Sequence, residues 1–259
     1  MKSRIISITL ICLWSLSAVA GPKEDFELFR NGEKLVWDST GHVKAKGVRM
    51  KISYPRTWKA AEGNRPNIVQ KFIGDPVRGI SMMVMIQTRS IPGFAEMTEK
   101  ERQELRTEFL SRDTAKEFVS EGDRLISHKV TKIDGEPCAM IEFEVSTERV
   151  DLKIGQKMLA FIIPRKDVLL MVQCATGGDV STGFDAINKH YEEVKPLFLL
   201  ISSSCVLTDK WDTVETVTDP AGGIDWGKII WKGVATGLIA LAIGGFYKIK
   251  SLSSNSNRA

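Results

Sequence analysis

The chain has 259 residues, of which 43% are hydrophobic and 26% charged, enough apolar material for one sizeable core with appendages and too much for a disordered polymer. The formal net charge of +4 does not describe the body of the protein. Lys2, Arg4, Lys228, Lys232, Lys248, Lys250 and Arg258 sit at the two apolar ends, whereas every acidic residue lies between Glu24 and Asp225, so the part between is slightly acidic, about −3, and nothing in it asks for nucleic acid.

Residues 1–20 read as a secretory signal peptide: basic Lys2 and Arg4, an apolar stretch, then Ala18-Val19-Ala20 in the small-x-small pattern of a cleavage site. Ile11 before Cys12 is too bulky for a lipoprotein site. A signal sends the body into an oxidising compartment, where Cys138, Cys174 and Cys205 are the mature thiols. The lack of an Asn-x-Ser/Thr sequon favours a bacterial envelope.

Residues 21–44 are expected to be an N-terminal lead-in, and a domain is expected over 45–205. "VRMKISYP", "NIVQKFIG" and "ISMMVMIQ" read as strands, the last two separated by the turn "GDPVRG". The period then changes. Thr98 and Glu101 stand at capping-box spacing, and Leu105 and Phe109 share one face, which predicts a helix broken near Asp113. "RLISHKVTKI", "CAMIEFEV", "KMLAFIIP" and "DVLLMVQCA" follow as four strands of a meander, with turns at Asp134-Gly135 and "PRKD". Phe184, Ile187, Tyr191, Val194, Phe198 and Ile201 mark one face of a last helix, with Pro196 inside it. This order predicts an α+β fold, a mainly antiparallel sheet with helices packed over it.

Residues 206–227 are expected to be an acidic stalk, 228–247 a transmembrane helix and 248–259 a cytoplasmic tail. From Ile229 to Tyr247 a helix would run roughly 28 Å, close to a hydrocarbon core of about 30 Å. Lys232 falls about one turn inside its outer edge, where the stem of a lysine can lift the ammonium back to the headgroups. Trp226, Trp231 and Tyr247 occupy interfacial positions. Gly233, Gly237 and Gly244 continue nearly one face, a spacing that suits a homodimer through the membrane helix. Together with the signal, this predicts a single-pass type I protein of the bacterial cytoplasmic membrane with its main domain in the periplasm.

No catalytic, cofactor-binding or metal constellation is recognisable. G-x-S-x-G, H-E-x-x-H, C-x-x-C and phosphate-binding glycine loops are all missing. His42, His128 and His190 are isolated; His190 and Glu193 share a helix face, a spacing more common on solvated surfaces than in metal sites. Met82, Met83, Met85, Met140, Met158 and Met171 could offer thioethers to Cu(I), but alternation sends Met82 to the face opposite Met83 and Met85, and methionine is an ordinary core filler.

"MKISYPRTWKA", "VTKIDGEPCAMIEFEV" and "MLAFIIPRKDVLLMVQCATGG", followed by a helix opening at Phe184, together resemble the PsbP/DcrB-like family of α/β/α sandwich domains over 45–205. The resemblance implies an adaptor, since members are chiefly noncatalytic partners and assembly factors of larger complexes. The expected function is therefore a noncatalytic, membrane-anchored extracytoplasmic binding or assembly module acting on a membrane or envelope complex, with the lipid bilayer as its other partner. The alternatives are an envelope hydrolase or transferase, or a carrier of an apolar ligand, with a site formed only in the folded state.

The meander also orders the thiols. The strands beginning at Cys138 and Asp167 run the same way, and the final helix, roughly 30 Å long, returns Cys205 to the Cys138 end, so Cys138 and Cys205 are expected to form a disulfide and Cys174 to stay reduced. The topology is tested by fusions: a reporter active only in the cytoplasm should be active after Ala259 and silent after Asp219. Leu241→Lys should release the body from the membrane, because a charge near the bilayer centre costs about 3 kcal/mol; the reverse reporter pattern overturns the arrangement.

Overall fold

The computed structural model describes residues 21–119, 123–149, 152–181 and 183–208. Trp226, Trp231, Lys232, Gly233, Gly237, Gly244 and Tyr247 lie outside these residues, as do the signal segment and nearly all of the expected stalk. Among the described residues no helix is long and apolar enough to cross a membrane.

The expected lead-in is part of the fold. It opens with α1 (Pro22–Arg30), whose start is encoded locally: Pro22 stands where a helical N–H has no partner anyway, and Glu24 and Asp25 bring negative charge to the positive end of the helix. Phe29 is buried and Phe26 packs on the same core. β1 (Lys34–Asp38) then pairs antiparallel with β2 (Met50–Pro55).

β3 (Lys59–Glu62), β4 (Ile68–Ile73) and β5 (Ser81–Ser90) follow as antiparallel neighbours. The capping box forms at α2 (Glu99–Phe109): the Thr98 amide donates to Glu101 Oε2 at 2.7 Å and the Glu101 amide to Thr98 Oγ1 at 3.3 Å. The break comes at Leu110 and Ser111, just ahead of Asp113, because Ser111 accepts from the Thr114 amide at 3.1 Å and starts α3 (Arg112–Glu117). The meander is as expected: β6 (Arg124–Ile133), β7 (Glu136–Arg149), β8 (Leu152–Arg165) and β9 (Val168–Asp179). Asp134 and Gly135, with φ of 50° and 84°, make the tight turn between the first two. α4 (Asp185–Ser203) carries Pro196, and the chain then enters β10 (Val206–Leu207), which pairs with β2, so the first residues of the expected stalk complete a strand.

Two sheets result, one of three strands in the order β1-β2-β10 and one of seven in the order β3-β4-β5-β9-β8-β7-β6, with antiparallel neighbours throughout. The large sheet is apolar on both faces. One core joins Val84, Leu159, Phe161 and Val172 to Ile52 of β2 and to Tyr191, Val194 and Phe198 of α4; the other joins Met85, Ile141, Phe143 and Met171 to Leu105, Phe109 and Phe118. Helices thus cover both faces of a mainly antiparallel sheet. The small sheet is an addition the sequence did not announce. Met82 lies in the first core and Met83, Met85, Met158 and Met171 in the second, which separates the thioethers as alternation requires.

The expected disulfide is not present. Cys138, Cys174 and Cys205 are free and buried. Cys205 does come near Cys138, close enough for that thiol to disfavour the ionisation of Cys205, while Cys174 lies 3.5 Å from Ser202 Oγ. Burial pushes all three thiols up to about 12, which keeps them protonated and unable to act as the thiolates that exchange requires. At pH 8, iodoacetamide should therefore leave Cys138, Cys174 and Cys205 unmodified in the folded protein and alkylate all of them after denaturation without reductant. A Cys138–Cys205 peptide in a non-reducing digest, or labelling in the folded state, would contradict this.

Candidate functional site

Asp25 is the polar centre of the α1 side. It is 2% exposed, and its two oxygens accept from Thr57 Oγ1 at 2.6 Å and from Trp58 Nε1 at 2.9 Å. The Trp58 ring stands edge-on to Phe198 of α4, with centroids 6.4 Å apart and an interplanar angle of 84°. Gly74 leaves room for this: a Cβ there would lie 2.9 Å from the Trp58 ring and 2.8 Å from Met82. One carboxylate thereby ties α1 to the turn after β2, and the indole ties that turn to α4.

The two helices held in this way enclose an open groove of about 900 Å³. Phe26 and Pro196 give it an apolar floor, and Lys23, Glu27, Lys189, Glu192 and Glu193 a rim of mixed charge. Pro196 has no N–H, so the Glu192 carbonyl lacks its usual intrahelical donor beside the groove. The combination of a hydrophobic floor and a charged rim suits an apolar side chain flanked by polar groups.

On the face of α4 turned to the sheet lies a second polar group. Lys195 reaches both oxygens of Glu142, at 3.1 and 3.0 Å, and Lys157 reaches Glu192 at 3.3 Å. The two ammonium groups lie 4.7 Å (Lys157) and 5.5 Å (Lys195) from the centroid of the Tyr191 ring. Burial, with Glu142 beside it, drives the Tyr191 hydroxyl above its ordinary range, so it stays protonated. This network fixes the rotation of α4, and hence which residues of the helix face the groove.

The other residues singled out by type do not converge. His128 Nε2 is 3.0 Å from the Leu110 carbonyl, and His42 is edge-on to Trp37 at 6.1 Å. His190 is buried, with Nε2 lacking a hydrogen-bond partner, and burial lowers its pKa against the opposing pull of Glu193. Glu193 itself is on the groove rim. Asp167 stands in the β8–β9 turn, far along the sheet from Cys174, which pairs with Leu159 in mid-strand. Among the described residues no group of three or more His, Cys, Asp or Glu side chains could hold a metal. The groove was missed because α1 was missed. Its signals were Pro22 in the first turn with Glu24 and Asp25 behind it, and the pair Phe26 and Phe29 at i, i+3.

No family model matches the chain, and no curated protein matches it. Solved structures that match parts of the chain include LpqN of Mycobacterium tuberculosis, which is involved in cell envelope biogenesis. It is 8% identical, with a TM-score of 0.36, and the match covers 69% of this chain and 94% of LpqN. A Bacteroides thetaiotaomicron protein matches at 11% identity and a TM-score of 0.29, over 61% of this chain and 44% of its own. PA94 of Pseudomonas aeruginosa, of unknown function, matches at 10% and 0.27, over 56% and 88%. Membership of the PsbP/DcrB-like family is not shown by these matches.

Removing the Asp25 carboxylate leaves the Trp58 N–H buried without an acceptor, at a cost of about 2–4 kcal/mol. Asp25→Ala should lower the urea unfolding free energy by that amount and speed hydrogen exchange throughout α1. A change below about 0.5 kcal/mol, the scale of an ordinary surface substitution, would mean that α1 is held by apolar packing alone.

Proposed function

We propose that the protein is a noncatalytic binding or assembly module of the bacterial envelope, tethered by residues 228–247 to the cytoplasmic membrane, and that the α1–α4 groove receives its partner. The observation that carries this reading is the groove itself, an apolar floor between two helices, one of which, α1, is anchored by buried hydrogen bonds. Its rim carries Lys23 and Lys189 against Glu27, Glu192 and Glu193, a pattern that accepts a protein segment with both signs of charge better than a single-sign ligand. Tethering supports the same reading, because a linker-bound module meets a neighbouring membrane complex at an effective concentration in the millimolar range and can work with a weak contact. The state of the candidate nucleophiles is also in keeping with it: Cys138, Cys174 and Cys205 are held protonated, as is Tyr191.

The test is site-specific photocrosslinking in intact cells. A benzophenone side chain at Lys189 should yield a discrete protein adduct, and one at Lys132, on the edge strand β6, should not. Phe26→Glu should remove the adduct, since a buried aromatic is worth about 1.5–3 kcal/mol of binding, roughly 10- to 100-fold. Equal adducts from both positions, or none from Lys189, would rule out the groove as the docking surface.

A further inference from the structure

A second cavity, smaller and different in chemistry, lies where the loop before β2 meets the β8–β9 turn. Its volume is about 220 Å³, and its wall contains Lys46, Gly47, Arg165, Lys166 and Asp167. That volume is below the range of about 300–1,000 Å³ in which drug-sized organic ligands are held. Three of the four charged side chains are cationic, and they come from segments more than a hundred residues apart that the fold brings together.

Each cation is placed differently. Arg165 is the fixed one: its side chain is 7% exposed, and Nη1 lies 3.5 Å from Glu136 Oε2, a carboxylate that Arg106 also contacts at 3.2 Å. That shared carboxylate holds the Arg165 side chain in place, so the cavity wall carries a fixed positive charge there. Lys46 ends a short 3-10 turn (Val43–Ala45) in the left-handed region, φ 52°, a conformation that costs a non-glycine residue free energy, and Gly47 follows at φ 81°. Its ammonium donates to Ser90 Oγ at 3.0 Å. The β8–β9 turn that carries Lys166 is in turn held by the Ile91 amide, which donates to the Asp167 carbonyl at 2.7 Å. Backbone strain, a pre-set guanidinium and two exposed lysines around a space of small volume form an arrangement with no counterpart in the groove.

We propose that this cavity binds a tetrahedral oxyanion, phosphate or a phosphate monoester headgroup. Arg165, fixed by Glu136, supplies a buried positive charge and Lys46 and Lys166 the exposed ones that meet the anion, with Asp167 setting the limit on how much negative charge the site accepts. The contribution of the two exposed lysines falls as ionic strength rises, and that of Arg165 much less.

The test uses the full chain in neutral detergent at constant ionic strength, with calorimetric titration of inorganic phosphate in one arm and, in the other, binding to micelles doped with phosphatidic acid. Saturable binding in either arm is expected to weaken about tenfold in Lys46→Ala or Lys166→Ala and to disappear in the double variant. Lys46→Arg should retain it, and Lys59→Ala, on the far edge strand, should leave it unchanged. Both lysines are exposed, so a thermal midpoint equal to the wild type certifies that the double variant is folded. Phosphate binding identifies the soluble anion as the ligand, and binding to doped micelles alone identifies the lipid headgroup. Binding in neither arm, or binding that survives the double substitution, overturns the proposal.

Discussion

The contact on which the α1 side of the molecule depends is the buried carboxylate of Asp25, shared between Thr57 and Trp58. A carboxyl group so far from water is tolerated only when its oxygens are satisfied, and here two donors from one turn satisfy them. Trp58 then carries the constraint onward through its edge contact with Phe198, so the direct packing of α1 on α4 is reinforced by a hydrogen bond at one end of an indole and a ring contact at the other. From that packing comes the groove.

The large sheet is a wall between two cores, and this explains its composition. A strand with solvent on one side alternates apolar and polar residues, but Val168 to Cys174 of β9 are buried at every position, because odd and even residues serve different cores. The edges are treated differently. β3 is only four residues long, and β6 breaks register between Leu125 and Ser127 and carries Lys129 and Lys132. Short length, a bulge and lysines are the usual means of keeping an exposed strand from pairing with another chain.

The polar groups of α4 divide by side. Lys195 and Glu142 work inward against the sheet, with Tyr191 between the lysines and held protonated, while Lys189 and Glu193 are left for the groove. One helix thus uses its charges both to fix its own rotation and to present a surface. The cysteines belong to the interior as small apolar side chains, and Cys205 reaches the Cys138 end of the sheet without bonding to it.

What the sequence determined by itself was local. The capping box at Thr98, the tight turn at Asp134-Gly135, the four strands of the meander and the apolar face of α4 are each set by contacts within a few residues, so spacing and residue type suffice to find them. The helix α1 was also encoded locally, by Pro22 and the acids after it, but it is short and half of its apolar face is two phenylalanines, too little signal to stand out. Tertiary structure alone decided the rest. β9 pairs with β5 across an insertion of two helices and three strands, and β10 returns to β2 from the other end of the domain. Both candidate sites are built from such encounters: α1 against α4, and Lys46 against Arg165. Periodicity records which way a side chain faces, not which distant segment will face it, and that choice is made by the free energy of packing two cores at once.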